Sequence, residues 1–319
     1  MNRNYRIVWN ESTQSWVAAS ELSKSHSRTS RSSLGKGVLS VVLGSVLLAG
    51  ISPVAMAYTA NVAAGQTVTG ETIDSIKQDV YGTANNSTIT TGGRQDIYSG
   101  GEANDTTIES GGYQYVSADG IANNTILYGE GLSGNQFVYE GGVANGTTMN
   151  GGSQVVWGTA NNTIINATIN GGVQEVYLGG VSKDTTVEDG GLVRIHSGAQ
   201  LQGTTQLNAS GDIDAVDGVI DNQGTLVFNQ NFDKTLDAQI TGTGSVVKDG
   251  SNILTLNASN TYTGPTEVRG GTLLVGSTAE SSSAQIAGNV DVQNGATLAG
   301  HGRILGTATI NNGGTLSPG

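Results

Sequence analysis

A unit of about nineteen residues, built on Gln-x-Val-aromatic and a later Thr-Ile, recurs from Gln78 to about Gly198. Its first position is held by Gln78, Gln95, Gln114, Gln136, Gln154 and Gln174, with Val193 in the seventh slot, so the steps are 17, 19, 22, 18, 20 and 19. A period of that size, with that tolerance, indicates stacked coils. One unit cannot fold alone, because ordering it costs ~1–2 kcal/mol per residue in backbone entropy. Burying about four or five Val, Ile or Leu side chains returns only ~1.5–3 kcal/mol each. Stability must come from neighbours that share core and backbone hydrogen bonds.

Each unit reads as short strands separated by Gly-rich or Asn-rich turns, as in Arg94-Gln95-Asp96-Ile97-Tyr98, then Ser99-Gly100-Gly101, then Glu102-Ala103-Asn104. Gly and Asn supply the positive φ that corners need. The expected fold is all-β, a right-handed single-stranded parallel β-helix in which each coil turns about three corners. Residues 58–77 are expected to form an N-terminal cap, 78–198 the repeated coils, and 199–319 a continuation of the same helix. The roughly thirteen coils expected would make a rod ~60 Å long.

The two-residue period of a strand sorts the side chains. The third position of the motif is always apolar and β-branched (Val80, Ile97, Val116, Val138, Val156, Val176, Ile195), which assigns its face to the interior and carries the glutamines with it. Stacked glutamine amides then form a ladder, each able to donate to the carbonyl of the next coil; the alternative is a solvated row outside. The other face receives Tyr81, Tyr98, Ser117, Tyr139, Trp157, Tyr177 and His196, one per coil. Tyr81, Tyr98, Tyr139, Trp157, Tyr177 and His196 are thus the candidate adhesive stripe, suited to weak multivalent contact with glycans or with a second copy. Rings that merely stack on one another along the solenoid are the alternative.

Residues 1–57 read as a leader. A largely apolar stretch over 38–51 follows Lys36 and precedes Pro53 and the small-x-small site Ala55-Met56-Ala57, which places cleavage between Ala57 and Tyr58. The apolar stretch falls short of the ~20 residues that span a bilayer. The leader carries six of the 14 Lys/Arg and two of the 26 Asp/Glu, so the exported part has a net charge of −16. Nucleic acid is not a partner of such a surface, since phosphate binding needs clustered Lys and Arg. The chain has no cysteine, so no disulfide framework holds it together.

Ahead of the apolar stretch, Met1-Asn2-Arg3-Asn4-Tyr5-Arg6-Ile7-Val8-Trp9-Asn10, continuing through Trp16-Val17-Ala18-Ala19-Ser20-Glu21-Leu22, resembles the extended signal peptide of type V secretion, that of the autotransporters of Gram-negative bacteria. Gly242-Thr243-Gly244-Ser245-Val246-Val247-Lys248-Asp249-Gly250, with Leu254-Thr255-Leu256 and Gly271-Thr272-Leu273, resembles their passenger-associated β-strand repeat. The repeats over 78–198 resemble those of the self-associating and diffuse-adherence adhesins. The resemblance implies a surface-displayed passenger that mediates adhesion, autoaggregation and biofilm formation, exported by Sec and the outer-membrane assembly machinery, with passengers on sister cells and host glycans or proteins as partners. Family members continue into a membrane β-barrel, so this chain is expected to be truncated before it, periplasmic or secreted by itself, and prone to aggregate. A structural stalk is the alternative role.

Catalytic sets are missing from the sequence. It has no Gly-x-Ser-x-Gly, no His-Glu-x-x-His, and only His196 and His301 beyond the leader. Asp212, Asp214, Asp217 and Asp221 depart by one residue from a calcium loop and read as a solvated turn. The expectation is a binding protein with no enzyme activity, cofactor or metal, and a β-helical carbohydrate-active enzyme is the remote alternative.

Overall fold

A computed structural model describes the strands Tyr5–Asn10 and Ser15–Ser20 together with residues 58–129, 134–166, 171–279 and 283–319. The chain divides into two units, Met1–Val54 and Ala55–Gly319. In the first, the two strands pair antiparallel with Trp9 opposite Trp16. Ala55 and Ala57 of the expected cleavage site lie outside the described residues. Tyr58 is half-buried, and its hydroxyl donates to the Lys77 carbonyl.

The second unit is a parallel β-helix. Every described pairing in it is parallel and joins a strand to the third strand after it, the topology of a chain that winds through three faces per turn. The glutamine face holds nine strands, from Asn61–Val62 to Asp212–Ala215, and the asparagine face ten, from Thr67–Thr69 to Gln239–Thr241. The threonine face runs unbroken through thirteen strands, from Thr72–Ile73 to Ala308–Ile310. Beyond 230 a five-stranded sheet from Lys234–Leu236 to Thr315–Pro318 takes the glutamine face's place in chain order. A three-stranded sheet, Ser259–Asn260, Gln285–Ile286 and Arg303–Ile304, takes that of the asparagine face. Residues 58–77, expected as a cap, supply the first strand of each face and are themselves a coil.

Strand alternation builds the core in columns. Val80, Ile97, Val116, Val138, Val156, Val176 and Ile195 are fully buried behind the glutamine face. Ala84, Ala103, Ala122, Ala144 and Ala160 line the asparagine face, and Ile89, Ile108, Leu127, Met149 and Ile165 the threonine face. The alanines are small because the buried glutamines share the same narrow interior. Where the glutamines stop, the columns enlarge to Leu201, Leu207, Ile220 and Phe228, which keeps the interior filled to native density.

One corner shows how backbone geometry selects residues. After the strand that ends in Asn85, Asn104, Asn123 or Asn161, the next residue takes a left-handed conformation, with φ between 51° and 55° at Asn86, Asp105, Asn124 and Asn162. Asn and Asp tolerate that region better than other side chains, and Gly146 fills the equivalent place after Asn145.

Candidate binding surface on the glutamine face

The six glutamines of the repeat sit inside, each with no exposed surface. Their side chains form one chain of hydrogen bonds. Nε2 of Gln95 donates to Oε1 of Gln78 at 2.8 Å, Gln114 to Gln95 at 2.9 Å, Gln136 to Gln114 at 2.8 Å, Gln154 to Gln136 at 2.7 Å and Gln174 to Gln154 at 2.7 Å. Donation runs backwards, from each coil to the one before, so all the amide dipoles point the same way. Hydroxyls take up remaining carbonyl capacity: Thr125 donates to Gln114 at 3.1 Å and Thr147 to Gln136 at 3.0 Å.

Both ends of the ladder are closed. At the start the Gln78 amide donates to the Glu71 carboxylate at 2.6 Å, placing a negative group at the positive end of the aligned dipoles. At the finish Val193 cannot donate to Gln174. There the alanine column changes to Ser182, whose hydroxyl donates to Gln174 Oε1 at 2.8 Å and also meets Thr185 at 2.7 Å. A buried amide carbonyl left without this bond costs about 1–3 kcal/mol.

A second ladder, of a residue type that corners alone would explain, runs along the asparagine face. Asn104 donates to Asn85 at 3.0 Å, Asn123 to Asn104 at 2.8 Å, Asn145 to Asn123 at 2.9 Å and Asn161 to Asn145 at 2.9 Å. Its signal was the recurrence of Ala-Asn at 84–85, 103–104, 122–123, 144–145 and 160–161.

Outside, the aromatic residues stack along the helix axis. Tyr81 and Tyr98 lie 4.7 Å apart, Tyr139 and Trp157 5.5 Å, Trp157 and Tyr177 5.1 Å, and Tyr177 and His196 4.0 Å, with interplanar angles of 9° to 18°. Ser117 interrupts the file. On the C-terminal side of the break Tyr115, in the next column, stacks on Phe137 at 4.9 Å and on Tyr139 at 6.2 Å. Tyr81 and Tyr139 are exposed, while Tyr98, Trp157, Tyr177 and His196 are half-buried by their neighbours, so the stripe offers ring edges and hydroxyls instead of open ring faces.

Charged groups bracket this band. Toward the N-terminus Arg94 holds Asp96 in a two-pronged bond, at 2.6 and 2.7 Å, and lies 4.2 Å over the Tyr115 ring. Lys77 bonds Asp79 at 2.6 Å, which together with Tyr98 and Asp96 holds its ammonium well above the ordinary lysine range. Toward the C-terminus Glu175 accepts from the Tyr177 hydroxyl and from Arg194, both at 2.7 Å. Burial works upward on that carboxyl, but Tyr177, Arg194 and His196 outweigh it and hold it below its usual value.

The acidic group of the transition does not converge. Asp212 pairs with Lys234 at 2.6 Å and Asp214 with Arg194 at 3.5 Å. Asp217 accepts from the Ser197 amide, and Asp221 from Gln200 and Gln223. Among the described residues no group of three or more His, Asp or Glu is placed to hold a metal ion. Lys248 stands out in the structure though no motif marks it in the sequence. Fully buried, its ammonium shares three protons among the carbonyls of Asp249, Gly250 and Gly270 at 2.6, 3.0 and 3.3 Å and Asn252 Oδ1 at 3.0 Å. Burial pushes this amine down to about 8.

Two family models match: the extended signal peptide of the type V secretion system over residues 1–50, and the passenger-associated transport repeat over 246–275. The chain is 36% identical over 98 residues to the autotransporter adhesin/invasin TibA of Escherichia coli O78:H11, covering 30% of this chain and 9% of that protein. It is 34% identical over 99 residues to the adhesin BmaC autotransporter of Brucella suis biovar 1, covering 30% of this chain and 3% of that protein. In these matches the chain is similar to the passengers of autotransporter adhesins. The extended signal peptide marks it for export across the inner membrane. Its fold is shared with the crystal structure of a TibA fragment hyper-glycosylated by TibC, at a TM-score of 0.51 and 26% identity over 79% of this chain and 97% of that one. Against the curated relatives it spans less than a tenth of their length.

Proposed function

We propose that this passenger mediates autoaggregation and biofilm formation through many weak contacts along the glutamine face, with the aromatic stack as the contacting surface. The observation that carries the reading is the stack itself. Tyr139, Trp157, Tyr177 and His196 are pre-stacked with centroids 4.0–5.5 Å apart, so contact through their outer edges immobilises little that is not already ordered. Repetition then multiplies a weak contact, because each engaged coil raises the effective concentration of the next. That two relatives are adhesins supports a binding role over a catalytic one.

The partners are a second passenger and host-cell or surface glycans and proteins. As in the TibA fragment, modification by sugars is part of the proposal, with exposed corner hydroxyls such as Ser99, Ser110 and Ser197 as acceptors. A settling assay on cells that display the passenger on an intact translocator barrel tests the reading. Replacing Tyr98, Tyr139, Trp157 and Tyr177 together by Ser is expected to abolish clumping with the circular dichroism unchanged. Clumping that survives the quadruple change sinks it.

A further inference from the structure

Between the glutamine and asparagine faces the chain turns through a four-residue corner. In Tyr98-Ser99-Gly100-Gly101, Ser117-Ala118-Asp119-Gly120, Tyr139-Glu140-Gly141-Gly142 and Tyr177-Leu178-Gly179-Gly180 the fourth amide donates to the first carbonyl at 2.8 or 2.9 Å. The corners also stack on one another, Gly100 donating to Asp119 at 3.1 Å, Asp119 to Gly141 at 3.0 Å and Gly179 to Gly198 at 3.1 Å. Two coils break this series, at Tyr81-Gly82-Thr83 and at Trp157-Gly158-Thr159, and the second shapes a notch. In Trp157-Gly158-Thr159 the turn is two residues shorter, and Trp157 and Gly158 both donate to the Val138 carbonyl, at 2.8 and 3.0 Å.

The missing turn leaves a notch in the corner ridge. Its floor is the edge of Trp157, and Tyr139, Glu140, Leu178 and Gly179 line the rest. A Cβ placed on Gly141 would meet Ala118 and one on Gly198 would meet Leu178, but one on Gly179 would meet nothing within 4 Å. The Gly141 N–H on one wall and the Gly179 carbonyl on the other have no hydrogen-bond partner among the described residues. Leu178 is 75% exposed, although its neighbours in the repeat are small or polar. The walls stand two coil steps apart, ~9.6 Å between backbone levels, which leaves room for one layer of atoms about as thick as a coil.

We propose that this notch is a saccharide subsite that takes one neutral hexose unit of a glycan. The proposal rests on reading the chain as an adhesin and gives that reading a place for its glycan. A pyranose ring fits on three counts. Its hydroxyls both donate and accept, matching an N–H on one wall and a C=O on the other. Its C–H face covers Leu178 and the indole edge, as in sites that combine apolar walls with a few convergent polar groups. The Glu140 carboxylate accepts from a sugar hydroxyl and repels uronic or sialic acids, as does the net charge of −16 beyond the leader. A peptide strand is the poorer occupant, because the notch offers one donor and one acceptor where a strand needs a row of each. The shortened corner at Tyr81-Gly82-Thr83 is a built-in control. Gly100 below it likewise meets nothing within 4 Å, but that notch has Ala64 and Ser99 where the other has Glu140 and Leu178.

Once the leader with Trp9 and Trp16 is removed, Trp157 is the sole tryptophan, so its fluorescence reports on the notch directly. The exported chain is titrated with the methyl glycosides of glucose, galactose and mannose, and with methyl glucuronide. At least one neutral glycoside is expected to give a saturable change and the glucuronide none. Glu140→Gln with Leu178→Ala is expected to weaken the response at least about tenfold, and Ser99→Ala to leave it unchanged. The absence of a saturable response to all three neutral sugars overturns the proposal, as does equal affinity for the glucuronide or undiminished affinity in the double variant. Settling of cells carrying the double variant is scored separately: clumping that persists while sugar binding is lost leaves the aromatic stack as the adhesive surface.

Discussion

The coils of 78–198 and those beyond 230 lie on one continuous threonine face yet are held together differently. The earlier coils align two side-chain ladders, one of glutamine inside and one of asparagine at the corner, around a narrow core of Ala, Val and Ile. Among the described residues the later coils show no run of like amides. Leu254, Leu256, Tyr262 and Leu273 fill the interior, and the polar contacts are mixed pairs such as Asn257 with Asp237, or Lys248 on its carbonyls. The difference teaches that register in a solenoid can be imposed by two means. An amide ladder fixes which coil follows which because a slip leaves several buried dipoles unpaired, whereas an apolar core fixes it by shape alone.

The largest expected effect follows from breaking the ladder. Gln136→Ala opens a cavity and takes one partner each from Gln154 Nε2 and Gln114 Oε1, which keep only Thr147 and Thr125, and should cost about 2–5 kcal/mol in denaturant unfolding. A loss under about 1 kcal/mol would mean that the ladder adds nothing beyond packing.

The later coils should instead show a pH signature. The Lys248 amine gives up its proton at about 8 in the folded chain but at its ordinary value of 10.5 when unfolded. Between those values the unfolded chain binds more protons, so stability should rise with pH across that window. Lys248→Met should remove the rise, and a midpoint that stays flat from pH 8 to 10 in the native chain would contradict the assignment.

Smaller effects belong to the outer face. Trp157→Ser removes two stacking contacts worth ~0.5–1.5 kcal/mol each, a loss of about 1–3 kcal/mol. Val193→Gln extends the ladder by one rung but adds a carbonyl with no donor beyond it, so its net effect should stay within about 1 kcal/mol. A much larger loss there would show that the ladder's end is set by shape and not by hydrogen bonding.

Strand parity made the glutamine ladder and the valine column legible before any coordinates. The β-branched third position leaves one choice of interior, and the glutamines must share it. The asparagine ladder was harder to read because Asn serves corners equally well, and its side chain aligns only once the coils are in register. The notch was hidden by arithmetic. The 20-residue step from Gln154 to Gln174 combines a corner two residues short at Trp157 with extra residues between Ile165 and Val173, so the repeat length looks ordinary. The interruption at Ser117 was visible in the sequence, but the stacking of Tyr115 on Tyr139 depends on how two adjacent columns lean together.

Proton exchange of the glutamine side-chain amides, followed by NMR, tests the central claim most directly. Gln78, Gln95, Gln114, Gln136, Gln154 and Gln174 should be strongly protected, while the exposed Gln66 exchanges at the rate of a free side chain. Six amides that exchange as fast as Gln66 would contradict an interior ladder, and with it the winding that stacks like residues coil upon coil.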